Sequence, residues 1–175
     1  METKELMDIV NENGEYIKTQ DRNGFLKENE YIQMVHIYLL RRNNEIYIQQ
    51  RSESKQENPN LWEVVGGGVA AGENVFTAAI RELREETGIL LDENAFTKIG
   101  NLTCPKYYIN CFIAYFDGND KFSPQFEEVK NTMFVTFDEV LNLINDDRFF
   151  STSFGIFQKY YKENLEWIIS NIKNH

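Results

Sequence analysis

A chain of 175 residues with 42% hydrophobic and 14% aromatic content is long enough to bury the core of one ordinary globular domain. No stretch approaches the roughly 20 unbroken apolar residues of a membrane-spanning helix, and the opening METKELMD lacks the basic start and apolar run of a signal peptide, so a cytoplasmic protein away from membranes is expected. A net charge of -10 argues against binding to nucleic acid polymers, which draws on lysines and arginines, so a phosphate-bearing ligand would need a metal or a few local arginines.

Residues 7 to 22 predict two short strands around Asn13-Gly14, a strong hairpin signal. A polar connector leads to an apolar run, Tyr31 to Leu40, which with Glu45 to Arg51 across Arg41-Arg42-Asn43-Asn44 reads as a second hairpin. Alternation there puts Ile46 and Ile48 on one face and Tyr47 and Gln49 on the other. After a polar loop containing Pro59, Leu61 to Val65 is expected as a short buried strand that delivers the chain into Gly66, Gly67 and Gly68. From Asn74 the pattern becomes helical, with Phe76, Ala79, Ile80 and Leu83 as its apolar stripe and Gly88 as its stop.

Phe96 to Leu102 and Tyr107 to Phe116 read as strands, the second closed by an Asp117 to Asp120 turn. Glu127 and Glu128 precede a strand at Lys130 to Val135, and residues 137 to 145 predict a short helix. From Ser153 to Lys173, apolar residues at three- and four-residue intervals predict a last amphipathic helix. Strands and helices without strict alternation indicate an α+β fold, an α/β/α sandwich with a mixed sheet flanked by helices and an N-terminal β-hairpin. One domain over 1–175 is expected, with a ribbon over 1–30. Cys104 and Cys111 show neither zinc nor disulfide spacing and are expected to be reduced thiols.

The chemistry concentrates between Gly66 and Ile89. Glu82, Glu85 and Glu86 fall within about one turn of helix, where like charges repel unless a cation sits among them. Carboxylates suit Mg²⁺ or Mn²⁺, which neutralise phosphate charge and generate hydroxide near neutral pH, the two needs of diphosphate cleavage. A glutamate not saturated by metal could take the proton of the attacking water. Arg81 is placed to hold a carboxylate by a charge-assisted bond.

Gly67, Glu73, Arg81, Glu82, Leu83, Glu85, Glu86, Gly88 and Ile89 match G-x5-E-x7-R-E-U-x-E-E-x-G-U, with U aliphatic, at every fixed position. The chain thereby resembles the Nudix hydrolases, with residues 66–89 as the Nudix box. The resemblance implies metal-dependent hydrolysis of a diphosphate linkage in a nucleoside diphosphate derivative or related organic pyrophosphate. It implies Glu82, Glu85, Glu86 and the Gly66 carbonyl as ligands of Mg²⁺ or Mn²⁺, with Glu73 and Arg81 as supports. The family's general base varies, and Glu127 or Glu128 is placed to serve, Glu128 being the choice here. Dimers are common in the family, so a homodimer is a further expectation.

Upstream, Arg51, Lys55, Pro59 and Trp62 form an R-x3-K-x3-P-x2-W segment similar to the branch related to isopentenyl-diphosphate isomerase. Gly68 stands where the isomerase has a metal-binding histidine, which favours hydrolysis over isomerisation. Arg51 and Lys55 are candidates for substrate phosphates and Trp62 for stacking, with Gly67 letting the substrate approach. The alternatives are an isomerase and a nucleotide-binding module without turnover.

Overall fold

In the computed structural model, which describes residues 5–41, 43–55, 57–116, 122–123 and 129–164, the long apolar run becomes the central strand β3 (Tyr31–Arg41). A run apolar at successive positions is stable only when covered on both faces. Its odd positions Val35, Ile37 and Leu39 enter one core cluster and its even positions Tyr38 and Leu40 another. β8 (Tyr107–Phe116) runs parallel along one edge of β3, in register from Ile32↔Tyr107 to Arg41↔Phe116. A strand has two edges, so β3's remaining partners share the other one. They follow one another along it: β1 (Leu6–Val10) opposite Tyr31 and Ile32, β6 (Val65–Gly68) opposite Met34 to Ile37, and β4 (Ile46–Arg51) opposite Leu40.

The remaining strands extend these. β2 (Tyr16–Asp21) pairs with β1 as the N-terminal hairpin, β5 (Trp62–Glu63) and β9 (Val129–Val135) pair with β4, and β7 (Phe96–Cys104) pairs with β8. Nine described strands make one mixed sheet. The expected β3–β4 hairpin holds only at its root, because β6 occupies the edge of β3 that β4 would otherwise have followed. The expected strand at 61–65 is likewise two strands with different partners, β5 on β4 and β6 on β3.

Helix α1 (Val75–Thr87) covers one face, burying Ala78, Ala79 and Leu83 against Val35, Ile37, Val65 and Phe112. Asn74 caps it by accepting from the Phe76 N–H at 2.8 Å, and Gly88, at φ 76°, ends it with its N–H on the Arg84 carbonyl. On the other face, α2 (Phe137–Asn145) and α3 (Phe154–Glu163) pack Val140, Leu143, Phe154 and Phe157 against Tyr38, Ile48 and Ile113. The sandwich is therefore α/β/α. Residues 165–173 of the expected last helix and the expected turn at 117–120 lie outside the described residues. Among the described residues no helix is long and apolar enough to cross a membrane.

Candidate active site

Beside β6, where β4 has left the edge of β3, lies a cavity of about 260 Å³. Gln49 lines it from β4, Gly66, Gly67 and Gly68 from β6, Met34 and His36 from β3, and Glu82 and Glu86 from α1. The three glycines meet the helix one by one. The Gly66 N–H donates to Glu86 Oε2 at 3.3 Å, a Cβ on Gly67 would overlap the Glu82 carboxylate, and the Gly68 carbonyl accepts from Arg81 Nη2 at 2.9 Å. A side chain at 67 would push the helix away, so glycine is required there for close approach, whereas one at 66 would collide with β3. A Cβ on Gly66 would come within 2.6 Å of the Val35 carbonyl.

Arg81 spends all five of its N–H donors here. It grips both oxygens of Glu73 at 2.9 and 2.8 Å, Glu82 Oε1 at 2.7 Å, Glu85 Oε2 at 3.2 Å and the Gly68 carbonyl. The fork holds Glu73 below the usual carboxylate range, and the same bond to Glu73, then one to Glu82, raises Arg81 further. Glu86 is raised well above that range, first by burial, then by the neighbouring Glu63 and Glu82 carboxylates. Burial also raises Glu82, against the pull of Arg81.

The model of the NUDIX domain family matches residues 31–154, more than half of the chain. The chain belongs to the NUDIX family. An uncharacterized Nudix hydrolase of Listeria monocytogenes is 36% identical over 87 residues, covering 49% of this chain and 52% of that protein. The chain thus spans about half the length of that curated relative. Among solved structures, DR0079 from Deinococcus radiodurans superposes with a TM-score of 0.74 at 21% identity, over 88% of this chain and 98% of that one. The NUDIX domain of Shewanella oneidensis NrtR, complexed with ADP ribose, superposes at 0.62 with 16% identity, over 82% and 93%. At these identities the superpositions establish the Nudix fold.

Within the Nudix box, Glu82 and Glu86 enter the cavity, whereas Glu85, held by the same Arg81 nitrogen as Glu82, is half exposed and does not line it. Helix geometry explains the split: residues four apart sit 40° from each other, while Glu85 lies 100° from Glu86. Among the described residues no three acidic, histidine or cysteine side chains already converge as a metal cluster. Two carboxylates and a backbone carbonyl do fit a hard cation. Arg81 occupies one oxygen of Glu82, and Gln49 Nε2, at 2.8 Å, with the Gly66 N–H occupies one of Glu86. The second oxygen of each has no protein donor among the described residues. A strand residue's N–H and C=O point to the same edge, so the Gly66 carbonyl faces the way its N–H does, toward Glu86.

Arg51 and Lys55 line the cavity. Arg51 Nη1 donates to both oxygens of Glu63 at 2.9 Å. Trp62 does not reach the cavity: it is 7% exposed and packs with Ile48, Val64 and Phe149, so its expected place against substrate is corrected to the core. Glu128 lies outside the described residues. Gln49, Glu63 and His36 were missed as site residues. The alternation of β4 placed Gln49 on the face opposite Ile48, but only the fold reveals that α1 covers that face. Glu63 carries no spacing signal, although it lines the cavity, its charge raises Glu86, and burial raises its own carboxyl.

Proposed function

We propose that the chain hydrolyses a diphosphate linkage in a nucleoside diphosphate derivative or related organic pyrophosphate, with Mg²⁺ or Mn²⁺. The observation that carries this reading is the entry of Glu82 and Glu86 into one cavity whose other lining residues include Arg22, Arg51 and Lys55. Carboxylates suit the cation and basic groups the phosphates. Glu82, Glu86 and the Gly66 carbonyl hold the metal, with Glu85 as a reserve ligand reached by a turn of its exposed side chain. When bound, the metal supplies charge neutralisation and a more acidic water.

The chain's own residues do the remainder. Arg81 and Glu73 fix the loop against α1 so that the carboxylates need not reorganise when substrate enters, Gln49 orients Glu86, and Arg51 and Lys55 bind phosphate. The glycines exclude side chains from the approach, and Glu128 is assigned as the proton acceptor for the attacking water. The ADP ribose held by the NrtR domain places nucleoside diphosphate sugars first in a screen.

Isomerisation finds less support. The Cys111 thiol, pushed up to about 12 by burial, is a poor proton carrier, and His36 is engaged by Ser153 on the other face of the sheet from α1.

The test is turnover of ADP-ribose, dinucleoside polyphosphates and nucleoside triphosphates with Mg²⁺ or Mn²⁺, read as release of nucleoside monophosphate or phosphate. Glu86→Gln should lower the rate about a hundredfold or more, since even groups behind a metal's ligands cost 10 to 100-fold. A folded wild type that binds these compounds and releases nothing would leave a binding module in place of the enzyme.

A further inference from the structure

His36 is 9% exposed, on the even face of β3, and lines the cavity from the side away from α1. Its Nδ1 lies 2.8 Å from Ser153 Oγ, which also meets the Tyr38 hydroxyl at 2.7 Å and the Cys111 thiol. Its Nε2 has no partner among the described residues. A polar side chain this buried, with one nitrogen anchored and the other open to a cavity, is spending desolvation free energy on something the protein itself does not supply.

The network around Ser153 decides which nitrogen bears the proton. Ser153 has one proton to give and two lone pairs to fill. The Tyr38 hydroxyl is buried and, among the described residues, has Ser153 as its one hydrogen-bond partner, so it donates. Burial keeps the nearby Cys111 thiol protonated, and sulfur is a far weaker acceptor than an imidazole nitrogen, so it does not compete for the Ser153 proton. The proton of Ser153 therefore goes to Nδ1, leaving an N–H on Nε2. In this tautomer the ring is an uncharged donor whose N–H lies on the nitrogen that faces the cavity. The ring carbon bonded to Nε2 is the atom that a Cβ on Gly66 would meet, at 2.9 Å, so the donor opens beside the glycine that touches Glu86.

We infer that His36 is a substrate-binding residue that donates its Nε2–H to a phosphoryl oxygen of the diphosphate, from the face opposite Glu82 and Glu86, with Ser153 as the positioning residue that fixes its tautomer. The inference rests on the diphosphate site proposed above. Clamped from both sides, the phosphoryl group would meet a cation on one side and an uncharged donor on the other. A neutral donor adds orientation without competing for the metal.

The chain has two histidines, so nitrogen-correlated NMR of the imidazoles resolves His36 directly. A pyrrole-type Nε2 and a pyridine-type Nδ1 are expected, becoming a mixture in Ser153→Ala; a protonated Nδ1 in the wild type overturns the inference. The probe for binding is methylenediphosphonate with Mg²⁺, which cannot be cleaved. It should shift the His36 Nε2 resonance and bind about tenfold more weakly to His36→Phe, the value of one hydrogen bond to an anion. His36→Gln, whose amide nitrogen reaches the position of Nε2, should restore most of the affinity. Equal binding by wild type and His36→Phe, or an unmoved resonance, overturns the inference while leaving hydrolysis intact. Conversely, a wild type that binds the probe through His36 but turns over no diphosphate sinks the proposed function and leaves His36 standing.

Discussion

Arg81 and Glu73, eight residues apart, meet as a two-pronged pair, Nε to Oε1 at 2.9 Å and Nη2 to Oε2 at 2.8 Å. The pair ties the loop after the glycines to the middle of α1. The Arg81 donors left over hold Glu82, Glu85 and the Gly68 carbonyl, so one guanidinium sets the distance between the glycine strand and the acidic helix.

Arg81→Lys keeps the charge but loses the fork. It is expected to destabilise the fold by about 1–2 kcal/mol, a modest value because the side chain is about one-third exposed. It should lower kcat more than tenfold, as Glu82 loses its fixed orientation. Denaturant titration and steady-state kinetics on the same preparation separate the two effects; unchanged kcat with lowered stability would make Arg81 purely structural.

Two glycines of the same segment give a contrast. Gly67→Ala drives a Cβ into the Glu82 carboxylate and should cost about a hundredfold in kcat, the scale of a displaced reacting group. Gly72, at φ 73°, has open space around its Cβ position. Gly72→Ala pays only left-handed backbone strain, about 1–2 kcal/mol of stability, with kcat unchanged. The kinetic ordering of the two variants is the measurement.

Burial first, then Glu63 and Glu82, raise the Glu86 carboxyl well above its unfolded value. A raised acid binds its proton more tightly when folded, so its stabilising contribution is present below the unfolded pKa and is lost as pH rises through the folded one. Metal-free wild type should therefore lose stability relative to Glu86→Gln between about pH 4.5 and neutral. Mg²⁺ should restore more stability at pH 8 than at pH 5, because it competes with that proton. Thermal melts with chelator and with Mg²⁺ across this range provide the check; parallel wild-type and variant profiles would contradict it.

Gln49 holds Glu86 from β4, outside the box. Gln49→Leu should weaken Mg²⁺ binding and lower kcat by about 10 to 100-fold, with KM little changed. Metal titration followed by calorimetry reads the first effect and initial rates the second.

Trp62 gives the opposite expectation, being core and away from the cavity. Trp62→Ala should cost about 3–5 kcal/mol in unfolding experiments and leave KM unchanged below the melting transition.

The order of strands and helices was legible because each rests on local chemistry: Asn13-Gly14 for the hairpin, Asn74 and Gly88 for the ends of α1, and the alternation of Ile46, Tyr47, Ile48 and Gln49 for the two faces of β4. The box was legible for a related reason, since its supports and carboxylates lie within about twenty consecutive residues and their separations are properties of one loop and one helix. The partners of the strands were not legible. That β6 displaces β4 from the edge of β3, and so opens the cavity, depends on which strand gains more by pairing at each stretch of that edge, a competition among segments tens of residues apart.

By itself, then, the sequence determined the elements, the α+β class and the acidic helix with its glycine approach, all set by interactions within a turn or a loop. Tertiary structure alone decided that Glu86 meets Gln49, that Glu85 faces solvent while Glu82 and Glu86 face the cavity, that Trp62 belongs to the core, and that His36 and Ser153 join across 117 residues of chain. The physical reason is that burial and the pairing of buried polar groups are properties of surfaces brought together by folding. No spacing along the chain encodes which surfaces those will be.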